Sequence, residues 1–153
     1  MAAQDPPRAP IVEDGVVAGN FSDKWHSRNP IARRLVEGFA RDVIELVERT
    51  GARDIHEVGC GEGHLTACLA SAGRSVRGSD VSSQVIDLAR SDTARRGIDV
   101  SFRVASVYDL EPEIDKAELV ACCEVLEHVE DPARALDVLA GLAPPLADRE
   151  RSA

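Results

Sequence analysis

At 153 residues, with 44% hydrophobic and 29% charged side chains, the chain has the size and balance of one globular domain able to bury a core without cross-links. A formal charge of −9 argues against a nucleic-acid backbone as the main partner, since phosphate binding needs a dense Lys/Arg face; Arg33, Arg34 and Arg41 are candidates for a local basic patch. Aromatics make up 3%, so Val, Leu, Ile and Ala must build the core, and the four cysteines (Cys60, Cys68, Cys122, Cys123) lack CxxC or Cys/His spacing, so no metal site is expected.

Residues 1–19 mix Pro, Ala and acidic residues without periodicity and read as a flexible arm. Asp5, Pro6 and Pro7 interrupt the start before any apolar run forms, so no signal peptide is expected. No apolar segment reaches the ~18 residues of a membrane span. A cytoplasmic setting with reduced thiols is the expectation. A first helix follows: Asn29 is a good N-cap and Pro30 suits the first turn. Ile31, Leu35, Phe39, Val43 and Leu46 recur at helical spacing until Gly51.

Strands and helices then alternate. Ile55–Val58 reads as a strand entering a glycine-rich turn, and Leu65–Ala72 as a helix ended by Gly73. A second strand runs from Ser75 to Gly78 and ends at Asp80; Ser82 caps a helix to about Arg96. Val100–Val104 is a third strand. Leu119–Cys123 is a fourth, an uninterrupted apolar run of the kind found in buried parallel strands. Asp131 and Pro132 open a last helix through about Leu142. The order predicts an α/β domain over residues 20–143, a mostly parallel sheet covered by helices on both faces. Residues 144–153 read as an irregular tail, in which Pro144 and Pro145 break the helix and no strand follows.

The stretch Glu57-Val58-Gly59-Cys60-Gly61-Glu62-Gly63-His64 lies where the first strand hands over to a helix. Glycines there let a backbone approach a ligand closely. A dinucleotide fingerprint would put its third Gly at the position His64 occupies, and Glu57 and Glu62 would repel a phosphate, so a ligand with positive charge fits better. Asp80, about 20 residues after the first glycine, stands where nucleotide-binding sheets hold ribose hydroxyls.

The run from Glu57 to Gly63 resembles the first motif of class I S-adenosylmethionine-dependent methyltransferases. Gly78-Ser79-Asp80-Val81-Ser82 is similar to their second-strand motif, and Cys123-Glu124-Val125-Leu126-Glu127-His128-Val129 to the fourth-strand exit of the ubiquinone-biosynthesis-like (type 11) branch. The resemblance spans about residues 20–142. It implies a Rossmann-like three-layer sandwich with strand order 3-2-1-4, lacking the C-terminal strands with which the family finishes its sheet. It also implies S-adenosyl-L-methionine as cofactor, with S-adenosyl-L-homocysteine as product.

By position, Glu57 would face the methionine end, with Gly59, Cys60, Gly61 and Gly63 forming the turn beneath the cofactor. Asp80 would take both ribose hydroxyls and Val81 would pack on the adenine. Ser106, where the family often has Asp, and Val107 would meet the adenine edge, and Cys123 would lie against the methionine portion through its backbone. Trp25 reads as a lid over the cofactor, with Arg28 pairing to its carboxylate; the alternative is a staple against the first helix. His128 reads either as a general base facing the methyl group or as a structural histidine. Glu124, Glu127 and His128 also resemble the start of a metal site in small-RNA methyltransferases, but no second His cluster follows, so no metal is expected. Cys60 and Cys122, at adjacent strand ends, read as small buried thiols.

The implied function is methyl transfer to a small-molecule acceptor through O, N or C, with no nucleic acid and no membrane as partner. The alternative is a non-catalytic or partner-completed cofactor-binding module. With the order 3-2-1-4, residues 119–123 would form a bare sheet edge, so the proline-rich tail, a second copy of the chain (a homodimer) or a partner chain is expected to cover it. A nicotinamide oxidoreductase is disfavoured by His64.

Overall fold

The computed structural model of the protein describes residues 11–13, 16–18, 25 and 28–144. Most of the expected arm, the segment Phe21–Lys24 with His26 and Ser27, and the tail from Pro145 onward lie outside the described residues. Within the stretch read as an arm, β1 (Ile11–Glu13) and β2 (Val16–Ala18) pair antiparallel, with Val12 opposite Val17. Three-residue strands are too short to show a period in the sequence.

Helix α1 (Pro30–Thr50) begins as its caps dictate: the Asn29 side chain accepts the Ile31 N–H at 2.9 Å, and Gly51 closes the helix at φ 70°. Its buried stripe differs from the expected one. Ala40 and Val47 face the core with Val43 and Ile44 beside them, whereas Ile31, Leu35 and Leu46 are 70%, 70% and 60% exposed. A helical period identifies a helix, but which side is covered depends on neighbours that the period does not name.

The main sheet holds β3 (Asp54–Val58), β4 (Ser75–Asp80), β5 (Ser101–Val104) and β6 (Leu119–Cys122), all parallel, in the order β5-β4-β3-β6. This is the expected 3-2-1-4. On one face α2 (His64–Ser71) joins α1 over Ile55, Leu65, Leu69 and Val76, while α3 (Ser83–Arg95) brings Ile86 and Ala89 against Phe102. Ser82 caps α3 by accepting the Val85 N–H. On the other face, α5 (Pro132–Leu142), capped by Asp131, packs Ala135, Leu139 and Leu142 against Val58, Val107 and Leu110. The short helix α4 (Pro112–Asp115) and two 3-10 turns, Val107–Asp109 and Leu126–His128, were not foreseen. Burying a Leu or Ile of these clusters contributes about 1.5–3 kcal/mol each.

A polar seam runs through the α5 side. His56 is fully enclosed, with Nδ1 2.9 Å from the Asp115 carbonyl oxygen and Nε2 2.9 Å from Ser79 Oγ. A carbonyl only accepts, so Nδ1 carries the proton and Nε2 accepts from the hydroxyl. Asp115, also buried, receives Arg103 Nη1 at 2.7 and 2.6 Å on its two oxygens and the Glu111 N–H at 2.9 Å. These bonds hold its carboxyl below the usual range against the opposing effect of burial.

Candidate functional site

The C-terminal ends of β3, β4 and β6 come together at one edge of the sheet, with Val58 level with Ser79 and Cys122. The chain leaves β3 through Gly59, whose φ is 75° and where a Cβ would stand 2.1 Å from Val125 Cγ2. Only glycine fits there, and the contact seats the β6 exit loop directly on the turn. Two residues on, Gly61 has φ 54° and nothing within 4 Å of an added Cβ, so the turn opens onto free space at that point.

The turn is not an anion cradle. Gly59 and Cys60 N–H groups both donate to the Ser79 carbonyl at 2.7 and 3.0 Å, Gly63 N–H to the Cys60 carbonyl at 2.9 Å, and Gly61 N–H to Asp80 Oδ2 at 3.0 Å. With these donors satisfied inside the protein, what surrounds the opening is acidic. Asp80 stands at the end of β4 and also takes the Ser82 N–H on Oδ1 at 3.1 Å. Each oxygen keeps a second lone pair for a ligand hydroxyl. Beside it, Val81 is 65% exposed, an apolar surface next to the carboxylate.

Glu57 points from β3 into the α2 side and is 4% exposed. The Thr66 hydroxyl donates to its Oε2, and the Thr66 backbone adds a second bond. Burial pushes the Glu57 carboxyl up to about 8, Thr66 opposes the rise, and the charge of Asp80 adds to it. Thr66 had no place in the sequence reading. Its signal was the one hydroxyl within the otherwise apolar run Leu65–Ala70 of α2. Glu62 lies 3.6 Å from His64 Nε2, and the His64 ring stacks on Trp25 with centroids 5.1 Å apart.

The remaining expected residues fall into two groups. Trp25, beside the turn on His64, also packs against the α1–α2 cluster, as does Cys123, while Arg28 is exposed. At the β5 exit, Ser106 is half-buried and accepts the Tyr108 N–H at 3.3 Å. Val107 turns its side chain into the α5 core, leaving only its backbone for a ligand. His128 ends the 3-10 turn after β6 and is exposed; its backbone N–H donates to the Val125 carbonyl at 2.9 Å. In the same loop Glu124 has φ 56°, the one non-glycine residue with positive φ among those described, and such outliers cluster at functional sites.

The thiols are all free: burial raises Cys60 well above the ordinary thiol range and Cys122 to about 11, so neither is poised as a thiolate. Among the described residues no group of three or more His, Cys, Asp or Glu side chains is arranged to hold a metal ion, and no helix is long and apolar enough to cross a membrane. The arrangement can accept hydrogen bonds from vicinal hydroxyls at Asp80, offer an apolar surface at Val81, and surround a positive centre with carboxylates.

Residues 56–145 match the family model described as a methyltransferase domain. The chain is 36% identical over 121 residues to the ubiquinone biosynthesis O-methyltransferase of Xanthomonas axonopodis pv. citri, covering 78% of this chain and 47% of that protein. To the enzyme of the same name from Coxiella burnetii it is 31% identical over 120 residues, covering 78% and 48%. The chain thus spans about half the length of the curated relatives it matches. Among solved structures it resembles the magnesium protoporphyrin IX methyltransferase of Synechocystis PCC 6803 with bound SAM, at a TM-score of 0.66 and 25% identity, covering 79% of this chain and 65% of that one.

Proposed function

The chain belongs to the methyltransferase-domain family, and on that premise we propose that it binds S-adenosylmethionine at the Gly59–Gly63 turn and transfers the methyl group to a small acceptor. The observation that carries the reading is the acidic, open turn: the N–H groups of Gly59, Cys60, Gly61 and Gly63 are satisfied internally, and Asp80 and Glu57 stand beside it. A phosphate-bearing dinucleotide would meet repulsion there, whereas a sulfonium meets attraction.

When bound, the cofactor supplies an activated methyl group for in-line displacement, and the protein's contribution is mainly alignment. Asp80 accepts the two ribose hydroxyls on its free lone pairs, and Val81 packs on the adenine. Ser106 and the Val107 backbone meet the adenine edge, with Glu57 and the Cys123 backbone toward the methionine end. Trp25 covers the site from the His64 side, and Arg28 pairs with the cofactor carboxylate. His128, on the β6 exit loop that packs against Gly59, takes a proton from the acceptor. The relatives' names favour a hydroxyl acceptor, for which such a base is suited. The four free thiols suit a reducing cytoplasm. A second copy or a partner chain covers the bare edge of β6.

Calorimetric titration tests the cofactor. Binding of S-adenosylmethionine and S-adenosylhomocysteine without NAD is expected; micromolar NAD binding with no response to the adenosyl pair would overturn the reading.

A further inference from the structure

Among the described residues no cation bears on the buried carboxyl of Glu57. Glu57 is 4% exposed and bonded by Thr66, and the neighbouring charge that bears on it is the negative Asp80 of β4. The other titratable groups that share its field are thiols: Cys60 of the turn, Cys68 of α2, and Cys122 and Cys123 of β6. Burial raises each and keeps it a neutral thiol, and a thiol has no cationic form, so none offers a compensating charge. An enclosed carboxylate with no cation is costly, and the least costly remedy in an empty site is a proton.

Resting on the cofactor reading above, we infer that Glu57 holds a proton while the site is empty and releases it to solvent when the sulfonium cofactor enters, and that the product, a zwitterion without the sulfonium charge, leaves it protonated. The step is a simple ionisation: the carboxyl O–H bond breaks, its electron pair stays on the oxygen, and water or buffer takes the proton. Burial sets the carboxyl near 8 in the free protein. An opposite charge within a few ångströms lowers a carboxyl by about 1–3 units, which carries it through neutrality. The device separates substrate from product by charge. The methylated cofactor binds with loss of a proton, and the demethylated one binds without it.

The test is calorimetry at pH 7 in phosphate and in Tris, whose ionisation enthalpies differ, followed by titrations from pH 6 to 8.5. Release of more than half a proton per S-adenosylmethionine bound is expected, with its affinity rising about five- to tenfold from pH 6.5 to 8, while S-adenosylhomocysteine shows neither effect. Glu57→Gln should abolish the release and flatten the pH dependence. A carbon-13 titration of the Glu57 carboxyl in the ligand-free protein stands apart from any ligand and should give a midpoint near 8. Binding of S-adenosylmethionine with no proton release would overturn the inference and leave the cofactor reading intact. Failure of both ligands to bind would defeat the cofactor reading and the inference with it. A carboxyl midpoint in the ordinary range near 4–5 would refute the stored proton by itself.

Discussion

His56 and Glu57 are consecutive on β3 and almost equally buried, at 2% and 4% exposure, but they face opposite sides of the sheet and opposite electrostatic settings. His56 enters a closed circuit in which both ring nitrogens are bonded and the nearby Asp115 is neutralised by Arg103. Glu57 meets hydrogen-bond donors but, among the described residues, no cation. A saturated network holds α4 under the sheet and has nothing left to offer a ligand. An unbalanced one keeps free energy in reserve for a ligand of the missing charge. On one strand, then, the α5 side maintains the fold and the α2 side prepares the site.

The largest way to break the contrast is Asp115→Ala. It leaves Arg103 without its carboxylate and the Glu111 N–H without its acceptor. A loss of about 3 kcal/mol of stability is expected in denaturant unfolding, with cofactor affinity in the folded fraction unchanged. An affinity loss of the same size would mean that the two faces are not separate.

Asp80→Ala attacks the other side. Two charge-assisted hydrogen bonds to ribose are worth about 2–3 kcal/mol of binding, so a titration should show a loss of roughly 30- to 150-fold. Because Asp80 also accepts the Gly61 and Ser82 N–H groups, folding stability should fall by about 1–2 kcal/mol as well. Unaltered affinity would remove Asp80 from the site.

Acidity sharpens the comparison with opposite signs. Burial lowers His56 from its ordinary value of 6.5, so the unfolded chain binds that proton more readily. Stability from His56 is therefore present above about 6.5 and lost as pH falls. Glu57 rises from 4.5 to about 8, so its contribution is full below 4.5 and lost as pH rises through about 8. Melting curves of His56→Asn should lose the acid-side slope, and those of Glu57→Gln the slope toward pH 8. Finding both slopes in either variant would assign them to other groups.

The smallest effect concerns β6, which pairs on one side with β3 and has no strand among the described residues on the other. Leu119–Cys122 should exchange amide hydrogens slowly only at concentrations where light scattering detects an assembly. Rapid exchange in a soluble monomer at every concentration would show that the edge is tolerated bare.

Much of this was legible in the chain because the signals are local. Asn29, Ser82 and Asp131 cap helices where their side chains suggested, and the Gly59–Gly63 turn with Asp80 lies at one edge of a sheet in the anticipated order. The His56 circuit was not legible. Its partners lie 23 and 59 residues away and meet only through register, with His56 level with Arg77, two residues before Ser79 on β4. The exposed stripe of α1 escaped for a related reason, since its spacing is helical on either face. Val107 shows the limit of positional carry-over: the expected segment is at the β5 exit, but its side chain belongs to the α5 core.

The most direct test of the site's location is amide NMR of the protein titrated with S-adenosylhomocysteine, which lacks the sulfonium charge held to ionise Glu57. The expected result is large shifts at Gly59, Gly61, Asp80, Val81 and Ser106, with His56, Arg103 and Asp115 unmoved. Shifts centred on the His56–Asp115 side, or saturable binding that leaves the Gly59–Gly63 turn unchanged, would contradict it.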